Sequence, residues 1–169
     1  MFAGQIWRLR PGAVLAGLAL LTALAVAAAS ARAIEPEAGQ TAARNNAHNI
    51  EALAREYEAI AQIIDLYIDG GRQGSSEIMK QAFLPQASIF GLIDGQLVGG
   101  PVQTLYDEVD SRPPAGAISY KIARLEAMAT VAMVRVDIND WAGSKYCDMF
   151  TLIKDGDEWK IAGKVSCRY

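Results

Sequence analysis

The sequence predicts an α+β fold in which helices of the first half pack on a curved antiparallel sheet built from the second. Three observations carry this reading. Between Asn46 and Ile68 apolar residues recur at three- and four-residue steps, the period of one helical face. From Ala117 onward four consecutive segments have strand character, separated by short breaks. The last two of these, Tyr146 to Ile153 and Trp159 to Cys167, are rich in β-branched and aromatic residues and flank Asp155-Gly156, a pair suited to the positive φ of a tight reversal. Helices followed by a run of strands is the α+β order, and the C-terminal hairpin is expected at the centre of the sheet.

The chain of 169 residues accommodates one domain after a leader. Residues 1–33 read as a secretory signal peptide. Arg8 and Arg10 form a positive start, Ala13 to Ala29 is an uncharged Ala/Leu/Val run, and Ala31-Arg32-Ala33 is a small-x-small cleavage pattern. An uncleaved membrane anchor is the alternative, for a run of about 17 residues sits at the lower edge of what spans a bilayer. Cleavage implies a periplasmic or secreted protein with no membrane attachment thereafter. Residues 34–46 are polar and without periodicity, and are expected as a flexible lead-in to a domain spanning 47–169.

Ile50, Leu53, Tyr57, Ile60, Ala61, Ile64, Tyr67 and Ile68 form the apolar stripe of the first helix, with Glu51, Arg55, Glu58, Gln62, Asp65 and Asp69 opposite. Gly70-Gly71 is expected to end it. A short second helix should run from Ser76 to Ala82 under a serine cap, with Pro85 beyond it. Ala87 to Ile93 follows as a strand, Asp94-Gly95 as a turn and Gln96 to Val98 as a short return. Pro101 opens a third helix, to Val109, and Pro113-Pro114 marks an exposed loop. The remaining strands are Ala117 to Met128, Ala129 to Asp140, Lys145 to Lys154 and Glu158 to Arg168. They are apolar on both faces over much of their length, so the face away from the helices also needs cover, from a partner subunit or from the sheet's own curl.

Charge excludes several function classes. The whole chain has a formal charge of −3, and loss of residues 1–33 removes three arginines and no acid, leaving 13 basic against 19 acidic side chains. With no Lys/Arg cluster, nucleic acid and anionic lipid are poor partners. His48 is the one histidine, expected as a solvated residue near a helix start. No metal-ligand set, Ser-His-Asp or Cys-His scheme can be assembled, and no cofactor is implied.

The order of elements and several motifs resemble the nuclear transport factor 2-like superfamily, a cone of bent sheet closed by helices around a central pocket, and within it the putative lumazine-binding branch. The similar stretches are Phe83-Leu84-Pro85-Gln86-Ala87, Asp94-Gly95-Gln96-Leu97-Val98-Gly99-Gly100-Pro101, Asp140-Trp141-Ala142-Gly143 and Asp148-Met149-Phe150-Thr151-Leu152-Ile153-Lys154, followed by Trp159-Lys160-Ile161 and Lys164-Val165. The resemblance covers about residues 47–165 and implies the fold. It leaves activity open, since this fold hosts isomerases, dehydratases, cyclases and non-catalytic binders. The branch commonly has Phe-His-Pro-Asp-Ala where Leu84 and Gln86 stand here. Members resembling ketosteroid isomerase carry an acid on the first strand, where this chain has Ser88-Ile89-Phe90-Gly91. Relatives often dimerise through the sheet, which implies a homodimer.

The residues able to shape a binding site are the aromatics Tyr57, Tyr67, Tyr106, Trp141 and Trp159, either as core packing or as the wall of a pocket that stacks a flat ring. Asp148, mid-strand among Tyr146, Phe150 and Leu152, is the best catalytic or ligand-anchoring candidate if it faces the interior. It could equally lie at a solvated edge or pair with Lys164 or Arg135. Arg135 and Asp137 read as an ion-paired outer face. Cys147 and Cys167 fall on the two arms of the hairpin and are expected to form a structural disulfide, the alternative being two separate thiols. A three-residue loop would put Cys147 opposite Val165, and a five-residue loop would put it opposite Cys167.

The function expected from these residues is an exported, non-catalytic protein that binds a small apolar or aromatic ligand in a central pocket. An isomerase- or dehydratase-like enzyme using a pocket Asp/Tyr pair is one alternative, and a protein-interaction module using the sheet face is another. A desolvated carboxylate in contact with a tyrosine would favour the enzyme. A purely apolar pocket would favour the binder, and a filled pocket with an exposed apolar sheet face the interaction module.

Overall fold

The computed structural model describes residues 35–169, with side chains from Gln40 onward; residues 1–33, read from the sequence as a signal peptide, lie outside the described residues. Residues Asn45–Tyr169 form one compact unit, and the described residues before it, from Glu35, are helical.

Helix α1 (Glu35–Gln73) and helix α2 (Ser76–Lys80) are followed by strands β1 (Phe83–Ile93) and β2 (Gln96–Pro101). Helix α3 (Gln103–Ser111) then leads into β3 (Ser119–Met128), β4 (Val131–Trp141), β5 (Ser144–Asp155) and β6 (Glu158–Arg168). One six-stranded sheet has the order β2-β1-β6-β5-β4-β3. Neighbours are antiparallel except β1 and β6, which run parallel. The C-terminal hairpin β5–β6 therefore occupies the middle of the sheet.

Two expectations about α1 are corrected. The stretch 34–46 is helical from Glu35, because its Ala, Glu, Gln and Arg residues are strong helix formers and extend a helix already nucleated downstream. The helix also runs through Gly70-Gly71. A Cβ on Gly70 would lie 2.7 Å from that of Met79, and one on Gly71 would lie 2.5 Å from the Trp141 ring. These glycines permit close approach. The helix ends at Gly74, whose φ of 62° lets the Ser75 N–H turn back to the Gly70 carbonyl at 2.8 Å.

The apolar stripe of α1 is buried only in its second half. Ile60, Ile64, Tyr67 and Ile68 join the core, whereas Ile50 and Leu53 are exposed. Ser75 caps α2 as expected, and Asp110 of α3 grips Ser76 through both its backbone N–H (2.9 Å) and its hydroxyl (2.6 Å). Strand β1 begins before Pro85. Its pairing with β6 is interrupted between Phe83 and Ser88, so the missing proline N–H leaves no ladder bond unmade.

Asp155 pairs with Glu158, so the hairpin turn holds only Gly156 and Asp157, with Gly156 at a φ of 62°. Further along, Leu152 pairs with Ile161 but Thr151 pairs with Gly163. Ala162 is the extra residue of a β-bulge. Because strand side chains alternate, this single insertion switches which residues of β6 face inward: Trp159 and Ile161 before it, Lys164 and Ser166 after it.

Candidate functional site

The sheet curls around a cavity of about 680 Å³ that is open rather than filled, a size suited to a small organic molecule. Its apolar wall comes from Ile89 of β1, Val98 of β2, Leu105 and Val109 of α3, and Trp141 at the end of β4. Glu108, Arg112 and Arg168 add charge, with Arg112 paired to Glu108 at 3.0 Å and Arg168 paired to Asp94. Among the described residues there is no cluster of His, Cys, Asp and Glu able to hold a metal ion.

The polar floor of the cavity is built from four side chains. Even-numbered residues of β5 face inward, which places Asp148 opposite Ser166 and Phe150 opposite Lys164. Helix α1 sends Tyr67 across this pair. Its hydroxyl donates to Asp148 Oδ2 at 2.7 Å. The Ser166 hydroxyl donates to Oδ1 at 2.6 Å, and the Lys164 ammonium donates to Ser166 Oγ at 2.6 Å and to Asp148 Oδ2 at 3.4 Å. Asp148 and Tyr67 are each 2 % exposed and Lys164 is 9 % exposed. An ionised carboxylate offers about four acceptor positions; three are used here and one on Oδ1 remains.

Aromatic rings hold Tyr67 in place. Phe150 and Phe83 meet it edge-on, with centroids 5.1 and 6.1 Å away, and Trp141 lies 5.2 Å from it at a tilt of 37°. Lys164 Nζ sits 5.5 Å above the Tyr67 ring, a cation–π arrangement. Burial, then the charge of Asp148, pushes the Tyr67 hydroxyl well above its ordinary range, so it keeps its proton and serves as a donor.

Of the residues anticipated for a site, Tyr67, Trp141 and Asp148 line the cavity together. Three others do not line it. Tyr106 is a core residue whose ring meets Phe83 edge-on, and burial raises its hydroxyl to about 12. Trp159 is buried beyond the bulge, with its indole N–H donated to Glu56 at 2.7 Å. Tyr57 is 36 % exposed, on the part of α1 that has left the core. His48 is exposed as expected but lies well inside α1 rather than near its start, and Arg135 pairs with Asp137 at 3.0 Å on the outer face, as expected.

The expected disulfide is corrected. The bulge at Ala162 brings Cys147 directly opposite Cys167, yet both thiols are free. Directly opposed residues in an antiparallel pair typically keep their Cβ atoms about 4.5–5.5 Å apart, against a mean of about 3.8 Å in a bridge, so opposition alone does not close one. The Cys147 thiol is instead hydrogen-bonded with the Tyr169 hydroxyl, and burial raises its pKa.

Of the polar floor, the pairing of Lys164 with Asp148 is one of the two anticipated from the sequence, and Ser166 is the member that the sequence does not point to. The inward direction of Lys164 and Ser166 depends on the bulge, for which Gly163 beside Ala162 is the one available signal.

A cone of bent sheet closed by helices, with a polar floor inside an open cavity, is a nuclear transport factor 2-like protein. Within that superfamily the chain belongs to the putative lumazine-binding family, whose model matches residues 55–166. A nuclear transport factor 2-like protein of unknown function from Shewanella baltica OS155 is 36 % identical, with 69 % of this chain and 95 % of that one covered and a TM-score of 0.65. A second, from Methylobacillus flagellatus KT, is 31 % identical over 68 % of this chain and 93 % of that one, with a TM-score of 0.65. Among curated proteins the chain is similar to aldolase FrzH from a Cladobotryum species, 27 % identical over 115 residues, which cover 68 % of this chain and 92 % of the relative.

Proposed function

We propose that this protein is an enzyme that removes a proton from the carbon next to the carbonyl of a small, partly apolar molecule, the step shared by isomerisation and aldol chemistry. The observation that carries the reading is the contact between Tyr67 and Asp148, a desolvated carboxylate and tyrosine on the floor of an open cavity. A simple apolar binder has no need of such a cluster, because taking a carboxylate and an ammonium out of water is costly even when they are paired. Asp148 is the base, and its remaining acceptor position on Oδ1 receives the proton. Lys164 supplies the positive charge that draws electrons out of the breaking carbon–hydrogen bond. Tyr67 and Ser166 hold the carboxylate in place. Similarity to an aldolase supports carbonyl chemistry over other uses of the same groups. The test is deuterium uptake at the α-carbon of phenylacetone in deuterated water, followed by proton NMR. Uptake accelerated by the protein supports the reading, and a ketone that binds without accelerated uptake contradicts it.

The same reading holds that the enzyme is exported and works as a homodimer. The leader pattern of residues 1–33 supports export. On the outer sheet face Phe90, Val165 and Met149 stand in register across β1, β6 and β5, each between 46 % and 59 % exposed, and they form an apolar strip that a second copy would cover. Sedimentation should show a dimer that Val165→Glu converts to monomer; a monomeric wild type would refute the pairing.

A further inference from the structure

Lys164 is the lysine whose ammonium reaches the cavity floor. The other described lysines with assigned partners, Lys80, Lys154 and Lys160, serve surface or edge pairs with Glu77, Glu56 and Glu158. An ammonium used only as a fixed charge needs a carboxylate beside it. Lys164 has more than that, for its hydrogen bond to Ser166 Oγ (2.6 Å) continues as the hydrogen bond from Ser166 to Asp148 Oδ1 (2.6 Å). The two bonds form an oriented path from nitrogen to carboxylate. If the Ser166 proton moves to Asp148 as Ser166 accepts one from Lys164, the result is a neutral amine, a protonated Asp148 and an unchanged serine. The amine so produced faces a cavity with an apolar wall able to hold a carbonyl compound.

We infer that Lys164 is a covalent catalytic residue that captures aldehyde or ketone substrates as an imine. The inference rests on the carbonyl chemistry proposed above and makes Lys164 the carrier of the substrate. The neutral nitrogen adds to the carbonyl carbon, and a proton passes from nitrogen to oxygen, giving a carbinolamine. Protonated Asp148 then gives its proton to the hydroxyl, which leaves as water, and the nitrogen lone pair closes the carbon–nitrogen double bond. The sum is ammonium plus carbonyl giving iminium plus one water, with charge conserved and no oxidant or reductant consumed. Asp148, again a carboxylate, removes the α-proton, and the electrons of that bond flow to the iminium to form an enamine, the carbon nucleophile of an aldol addition. Tyr67 is a positioning residue, donating to Asp148 throughout.

The test is reductive trapping. The full chain is incubated with phenylacetone and sodium borohydride, and its intact mass and proteolytic peptides are then measured. The expected result is one reduced-ketone adduct per chain, mapped to Lys164, and lost in Lys164→Met and Lys164→Arg. Mapping the wild-type adduct keeps the test independent of whether the variants fold. Adducts scattered over surface lysines, or none at all, would overturn the inference. Deuterium uptake without a Lys164 adduct would leave the proton-transfer reading standing and remove the imine, whereas an adduct without uptake would do the reverse.

Discussion

Tyr67 on α1 and Asp148 on β5, 81 residues apart in sequence, meet in a 2.7 Å hydrogen bond with both side chains sealed from solvent. The tyrosine is fixed by three rings and the carboxylate by three donors, so the contact couples helix to sheet at the point where the cavity meets the core. Tyr67→Phe keeps the rings and removes the donor. A hydrogen bond to a charged group is worth about 1.5–3 kcal/mol, so the melting free energy should fall by that order, with a loss of roughly tenfold to a hundredfold in α-proton exchange. Unchanged exchange in a folded Tyr67→Phe protein would remove the tyrosine from the machinery.

A second anchor lies at the other end of the hairpin. Glu56 accepts from Lys154 at 2.6 Å and from the Trp159 indole at 2.7 Å, which ties α1 to β5 and β6 away from the cavity. The Lys154 and Trp159 hydrogen bonds lower its pKa from 4.5. A depressed carboxylate stabilises the fold above its unfolded pKa and stops doing so as pH falls through its folded value. Thermal melts should therefore show wild-type stability declining below pH 4.5 more steeply than that of Glu56→Gln. Exchange at neutral pH should be equal in the two proteins, since Glu56 does not line the cavity.

Gly71 is predicted to be intolerant of any side chain. A methyl group there meets the Trp141 ring at 2.5 Å, inside the limit of real contacts, and the ring is itself cavity wall. Gly71→Ala should cost about 1–3 kcal/mol, the usual range for overpacking. It should also shift tryptophan emission as Trp141 is displaced. A variant with wild-type stability and emission would show that the helix can move aside.

These particulars explain how much was legible in the sequence. The strands and the helical stripe were, because period 2 and period 3.6 are local properties of residue order. The same glycine pair misled, since Gly-Gly reads alike whether it ends a helix or admits a neighbour, and the neighbours Met79 and Trp141 are distant in sequence from Gly71 or attached to another element. Asp148 could be singled out as an acid in an apolar strand. Lys164 could be named only as one of two possible partners and Ser166 not at all, because their direction turns on one unpaired residue, Ala162, that alternation alone does not reveal. That bulge also brings Cys147 and Cys167 into direct opposition, the register expected of a five-residue loop, although the turn holds two residues.

Whether Asp148 is the base is decided by measuring deuterium uptake into phenylacetone with wild type and Asp148→Asn side by side, with affinity for the ketone measured calorimetrically on both. Asn keeps the size of the side chain but cannot take up the proton. Affinity should hold within a few fold while exchange falls by about 10²–10⁴, the contribution typical of a positioned general base. Equal exchange rates in the two folded proteins would contradict that role.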